Sequence, residues 1–133
     1  MTVTPIYAGL ISLLFVALSF RVIGFRRQVK VALGDGGSTT LTRRLRAHGN
    51  FAEYVPLAIV LMALAELQGQ PALLLHLMGV GLLAGRLVHA FGVSREPEDI
   101  RLRVTGMVLT LSVLIFGALA NLGFSSLSGL IAA

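Results

Sequence analysis

Hydrophobic positions along this chain gather into four long stretches separated by short polar or glycine-containing connections. The stretches run from about Pro5 to Phe25, Thr42 to Leu67, Pro71 to Val93 and Pro97 to Leu122. Each is continuous and rich in Leu and Ala rather than alternating at period two, which selects helices over the strands of a membrane barrel. At about 1.5 Å per residue, each is long enough to cross a hydrocarbon core of roughly 30 Å. The pattern predicts an all-α, integral membrane four-helix bundle forming a single domain over residues 1–133.

The connections carry the punctuation such a bundle needs. "LQGQP" reads as a tight hairpin between the second and third spans, with Pro71 suited to the first turn of a helix. "GDGGSTT" reads as the flexible part of the first connection, and its Ser and Thr residues are candidate N-caps. In "SREPEDIRLR", Pro97 followed by acidic residues suits a helix start, because early carboxylates complement the helix dipole. The N-terminal run "MTVTPIYAGLISLLFVALSF" has no basic residue before it and basic residues after it, so it is expected to be a retained span, not a cleaved signal. The tail "SSLSGLIAA" is too short to span and is expected at the interface or frayed.

Composition agrees with the pattern. Only 13% of residues are charged, 56% are hydrophobic and the mean hydropathy is +0.87, whereas about a quarter of a soluble domain is charged. A net charge of +5 could suggest nucleic acid. The cations, however, lie between apolar runs and not along a stripe interleaved with aromatic platforms, so no nucleic-acid partner is expected. They read instead as topology-setting charge. Arg26, Arg27, Lys30, Arg43, Arg44 and Arg46 flank the first connection, and Arg95, Arg101 and Arg103 flank the third. The second connection and both termini carry no Lys or Arg. The first and third connections are therefore expected to face the cytoplasm and both termini the opposite side, in what reads as a bacterial inner membrane. The absence of cysteine excludes disulfides, thiolate metal sites and a protein-thiol nucleophile.

One stretch departs from this economy. "RLRAHGNFAEYVPLAIVLMALAE" begins polar and becomes apolar without a break. On a helix, Arg43, Arg46, Asn50 and Glu53 fall on one stripe with Tyr54 beside it. Glu and Asn are costly against lipid, so the stripe should face other helices or a wet cavity. The third span adds Arg86 and His89 on a common face, deeper than a topology charge needs to be. His76 lies on the opposite half of that span and reads as a packing or interface residue. Gly81 and Gly85 stand four apart and suit close helix packing.

A purely structural ion-pair network, with Glu53 neutralised by Arg46 or Arg86, is one reading of these charges. The excess of cations argues against it. A single Glu faces Arg26, Arg43, Arg46, Arg86 and at least one of Arg101 and Arg103, so an anion is missing. A small polyanionic ligand would restore balance, with guanidinium groups on its carboxylates, Glu53 on an ammonium and Asn50 on an amide.

"LRAHGNFAEYVP" closely resembles the second-helix signature of the membrane-associated proteins in eicosanoid and glutathione metabolism, the MAPEG family, and "GRLVHAFG" resembles its third-helix pattern. The resemblance covers essentially the whole chain. It implies a homotrimer of four-helix subunits that binds glutathione at subunit boundaries near the cytoplasmic side. The implied activity is a glutathione transferase or peroxidase acting on a lipophilic electrophile or hydroperoxide from the membrane lipid. By resemblance, Arg46, Asn50, Glu53 and Tyr54 match positions that hold glutathione, Arg26 matches a further cationic position, and Arg86 and His89 match third-helix positions. The arginine that stabilises the thiolate lies at the start of the fourth helix in this family, which here means Arg101 or Arg103; the run into Thr105 and Gly106 favours Arg103.

The sequence departs from the family pattern at two places. Gly49 stands where the prostaglandin synthase branch often has Arg, and Val93 where several members have Tyr. One family branch is non-catalytic, so a membrane scaffold or lipid-binding protein is the alternative to an enzyme. A small proton-coupled exporter is a poorer match, since the first span contains no carboxylate.

Overall fold

A computed structural model describes the backbone of residues 1–131 and the side chains of residues 1–123. It contains four helices: α1 (Thr4–Val29), α2 (Thr39–Leu67), α3 (Ala72–Ser94) and α4 (Ile100–Ile131). All four are long and apolar enough to cross a membrane. The expected bundle is present, with shifted ends. The third helix starts after Pro71, whose carbonyl accepts from the N–H groups of Leu74 and Leu75. The fourth begins at Ile100 rather than Pro97, because Asp99 caps it: its carboxylate accepts from the Leu102 N–H at 3.2 Å. Helix continues beyond Leu122 to Ile131, and the side chains of the "SSLSGLIAA" tail lie outside the described residues.

The inward face of α2 shows why this sequence packs as it does. Ala47, Phe51, Val55, Ala58, Met62 and Ala65 recur at three- and four-residue spacing and are all buried. Leu75, Met78 and Leu82 of α3 complete the core with Tyr7, Ile11 and Leu18 of α1. The outward faces are equally apolar: Phe20 is 68% exposed and Leu73 71%. Helices hydrophobic on every side are membrane spans, with lipid as the outer solvent.

The helices α3 and α4 pack most extensively, α2 lies against both, and α1 sits at the edge against α2 and, to a lesser extent, α3. Close approach of α3 and α4 depends on glycine. A Cβ on Gly106 would stand 2.5 Å from the His89 backbone N, and one on Gly85 would stand 3.0 Å from the Gly106 carbonyl O. Gly81 faces Val113, so Gly81 and Gly85 of "GVGLLAGR" serve helix contact as expected.

The first connection is wound into turns through positive-φ residues Lys30, Gly34, Gly36 and Gly37. Asp35 pins it by accepting from the Thr42 hydroxyl at 2.6 Å and the Gly37 N–H at 3.0 Å. These bonds, the Thr42 hydroxyl foremost, hold the Asp35 carboxyl below its ordinary range. Ser38 is the N-cap of α2, accepting from the Leu41 N–H.

Candidate functional site

The first and third connections lie beside one another, as the ion pairs between Arg43 of α2 and the glutamates before α4 require. This is the basic end of the bundle. A cleft of about 260 Å³ opens here, lined by Thr39, Thr42, Arg43, Arg46, Val93, Glu98 and Arg103. Three helices lead inward from it, each by one turn of side-chain spacing or two. Helix α2 descends from Arg46 to Asn50, α3 from Val93 through His89 to Arg86, and α4 from Arg103 to Met107.

These paths meet at Arg86. Its side chain is buried, with 1% exposure, and no carboxylate pairs with it among the described residues. Its Nη1 donates to the Asn50 Oδ1 at 2.7 Å, and its Nη2 to the Gly106 carbonyl at 3.3 Å and the Met107 Sδ at 3.5 Å. The Tyr54 ring centroid lies 6.0 Å from its Cζ. The Nε is buried without a hydrogen-bond partner. A guanidinium held only by neutral groups is uncompensated in a medium where an unpaired ion costs several kcal/mol by general estimates. It can supply that charge to an anion. His89 is buried beside it on the same helix face, against the Gly106 backbone.

The mouth of the cleft is already partly neutralised. Arg103 pairs with Glu98 at 2.8 Å, and Arg43 with Glu98 at 3.7 Å and Glu96 at 3.8 Å. Glu96 also accepts from the Thr40 hydroxyl at 2.8 Å. Sequence reasoning took the acidic residues of "REPEDIR" for helix-start residues only. Asp99 does serve that role, while Glu96 and Glu98 bridge to α2 and α4, a role that only their neighbours in space reveal.

The sequence-derived candidates thus divide. Asn50, Tyr54, Arg86 and His89 come together inside the bundle, with Arg46 and Arg103 above them at the cleft. Arg101 lies elsewhere, on the outer surface of the third connection with Arg95 and Ile100. Arg26 donates to the Val31 and Ala32 carbonyls at the end of α1, in a separate cleft with Arg27 and Lys30. Glu53 is exposed on α2 and makes no ion pair among the described residues, so it neutralises neither Arg46 nor Arg86 within one chain.

The far end, with the second connection and the chain's N-terminus, carries polar groups the sequence reading passed over. Glu66, near the end of α2, accepts from the N–H groups of Thr2, of Val3 at 2.8 Å and of Thr4 at 2.7 Å. It supplies the cap that α1 lacks from its own residues. His76 meets the Tyr7 hydroxyl at 3.0 Å, consistent with a packing role. His48, also unassigned from sequence, meets the Ser19 hydroxyl at 3.0 Å and stacks on Phe15.

Comparison with known proteins shows the family of the chain. The Inner membrane protein YecN, in two strains of Escherichia coli, is 43% identical over 122 residues, covering 92% of this chain and 92% of its own length. The family model described as MAPEG family matches residues 4–123, a range that takes in all four spans and every candidate residue discussed above. With the signature of α2, the Gly-Arg pattern of α3 and the four-helix architecture in agreement, the chain belongs to the MAPEG family.

Proposed function

We propose that this protein is a glutathione-dependent transferase or peroxidase of the bacterial inner membrane, acting on a lipophilic electrophile or hydroperoxide. The observation that carries the reading is Arg86: a buried guanidinium with, among the described residues, no carboxylate beside it and one N–H without a partner, below a cleft lined by three further arginines. Glutathione carries two carboxylates, an ammonium, amides and a thiol. Its negative groups suit Arg43, Arg46 and Arg86, and its amides suit Asn50.

Bound glutathione supplies a thiol that, as thiolate, forms a C–S bond while a leaving group departs; alternatively, two such thiols become a disulfide as a hydroperoxide becomes alcohol and water. This chain's residues do the rest. Arg103, at the cleft and on the inward path of α4, favours the thiolate by placing positive charge beside sulfur. Arg101 faces away and is the poorer candidate. Val93 lines the cleft where several relatives have Tyr, so the guanidinium carries this task without a tyrosine hydroxyl. The Tyr54 ring faces Arg86, and His89 is buried one turn further along the same helix.

The exposed Glu53 supports assembly as a homotrimer. A carboxylate on a spanning helix is costly against lipid, and a second copy packed on α2 would cover it. That copy could also bring Arg26 and the ammonium-binding Glu53 toward a shared site. The cationic connections lie in the cytoplasm in this reading, and glutathione enters from there.

Titration of detergent-solubilised protein with glutathione, monitored by calorimetry and thiolate absorbance, tests the proposal. Saturable binding with added thiolate absorbance is expected, followed by turnover with an aryl halide or a lipid hydroperoxide. Absence of binding ends the glutathione reading. Binding without turnover over a range of electrophiles assigns the chain to the scaffold or lipid-binding branch.

A further inference from the structure

Of the cations flanking the first connection, Arg27, Lys30 and Arg44 are not used by this site. Arg21, Arg26, Arg27, Lys30 and Arg44 cluster where α1 ends and α2 begins, and none of them forms an ion pair among the described residues. The carboxylate within the connection, Asp35, is engaged by Thr42 and Gly37. Two of the five are held by neutral groups: Arg26 by carbonyls, and Arg44 by the Arg21 carbonyl and the Phe25 ring, 4.3 Å from its Cζ. Arg27 and Lys30 are exposed, and their side chains make no ion pair among the described residues. The third connection behaves differently, since Arg95 and Arg103 there have acidic partners.

Position sharpens the contrast. Leu13, Val16, Phe20 and Ile23 are exposed and spaced three or four apart along α1, and Arg27 and Lys30 continue the same register at its end. An apolar lane over residues 13–23 of α1 thus leads to two cations without an ion-pair partner among the described residues. A cleft of about 360 Å³ lies there, lined by Ile23, Arg26, Arg27, Lys30, Val31 and Ala32. Leu33, in the connection itself, is 89% exposed, although it lies outside any span. Resting the connection on the membrane would take such a leucine out of water.

We infer that this corner is a binding site for an anionic glycerophospholipid. Arg27 and Lys30 hold the headgroup phosphate, the exposed face of α1 takes the acyl chains, and Leu33 enters the boundary between headgroups and hydrocarbon. A net-neutral lipid would leave the excess charge of the corner uncompensated, so the site selects lipids by charge. The inference is independent of glutathione, because neither Arg27 nor Lys30 belongs to the catalytic cleft.

Native mass spectrometry of the detergent-purified protein, titrated with phosphatidylglycerol or phosphatidylcholine, tests it. Phosphatidylglycerol is expected to bind more tightly, and the preference to fade as salt is raised. The double variant Arg27→Gln/Lys30→Gln should weaken phosphatidylglycerol binding by about tenfold or more, at roughly fivefold per cation, with phosphatidylcholine unaffected. Arg95→Gln, on the paired connection, should leave both unchanged. Equal affinity of the wild-type protein for the two lipids, or wild-type phosphatidylglycerol affinity in a folded double variant, overturns the inference. The salt titration needs no variant, so the test stands even where the double variant fails to fold.

Discussion

At the far end of the bundle, the Glu66 carboxylate meets three backbone N–H groups and His76 meets Tyr7. At the basic end, Arg86 lies far deeper, among helices with amide, carbonyl and thioether neighbours and no acid among the described residues. Both regions place polar groups between helices, yet one, half-exposed, closes its electrostatics internally and the other, buried, leaves a positive charge open. The difference separates architecture from function. A satisfied carboxylate at a helix start holds two elements together, whereas a guanidinium without an anion has no architectural use that an apolar residue would not serve better.

The sharpest way to break this comparison is to remove one residue from each end. Arg103→Ala should reduce glutathione-dependent turnover by about a hundredfold or more, the scale of losing a preorganised charge-stabilising donor, with thermal stability little changed. Steady-state rates alongside a melting curve check both halves. Arg86→Met should abolish glutathione binding in calorimetry while raising the melting temperature or leaving it unchanged, since the buried ion gives way to an apolar chain of similar reach. A large loss of stability in Arg86→Met would place this arginine with the architectural group.

Glu66→Gln should do the reverse. It weakens the cap on α1 and lowers the melting temperature, and glutathione affinity stays at the wild-type value. Smaller again is the effect of Glu98→Gln. Its pairs with Arg43 and Arg103 are partly exposed, and such pairs are worth about 0.2–1 kcal/mol. Releasing both arginines should therefore tighten glutathione binding by up to about fivefold, because the ligand no longer competes with an internal carboxylate. Asp35 gives the smallest effect. Its folded pKa lies below the ordinary value, so its contribution is fully present above about 3.9 and disappears as pH falls through the lower folded value. Amide exchange in the first connection, followed on acidification, should quicken there while the cores of the spans remain protected.

The candidate site was legible in sequence where a helix supplied several members at once. Helical spacing put Arg46 and Asn50 on one stripe and Arg86 and His89 on another, and these do converge. Glu53 belongs to the same stripe by spacing but points out of the single chain, because a stripe extending over three turns rotates past the edge of its neighbours. Arg101 and Arg103 could not be separated by sequence alone. Two residues on a helix differ by about 200° in direction, and which direction faces the cleft depends on where α4 lies against α3. That is fixed by Gly85 and Gly106, whose contact brings the backbones together. Glu66 escaped notice for a related reason: its partners lie more than sixty residues away at the start of α1.

What the sequence settled by itself is what depends on local chemistry and on the solvent. Runs of apolar residues long enough for a bilayer make four spanning helices, and caps and glycines end them within a few residues of their observed limits, except that α4 runs on past Leu122 to Ile131. Only the tertiary structure decided which charges are spent on one another. Pairing depends on distances between helices, and the same arginine is a closed ion pair, a buried open charge or a lipid-facing cation according to what the neighbouring helix presents.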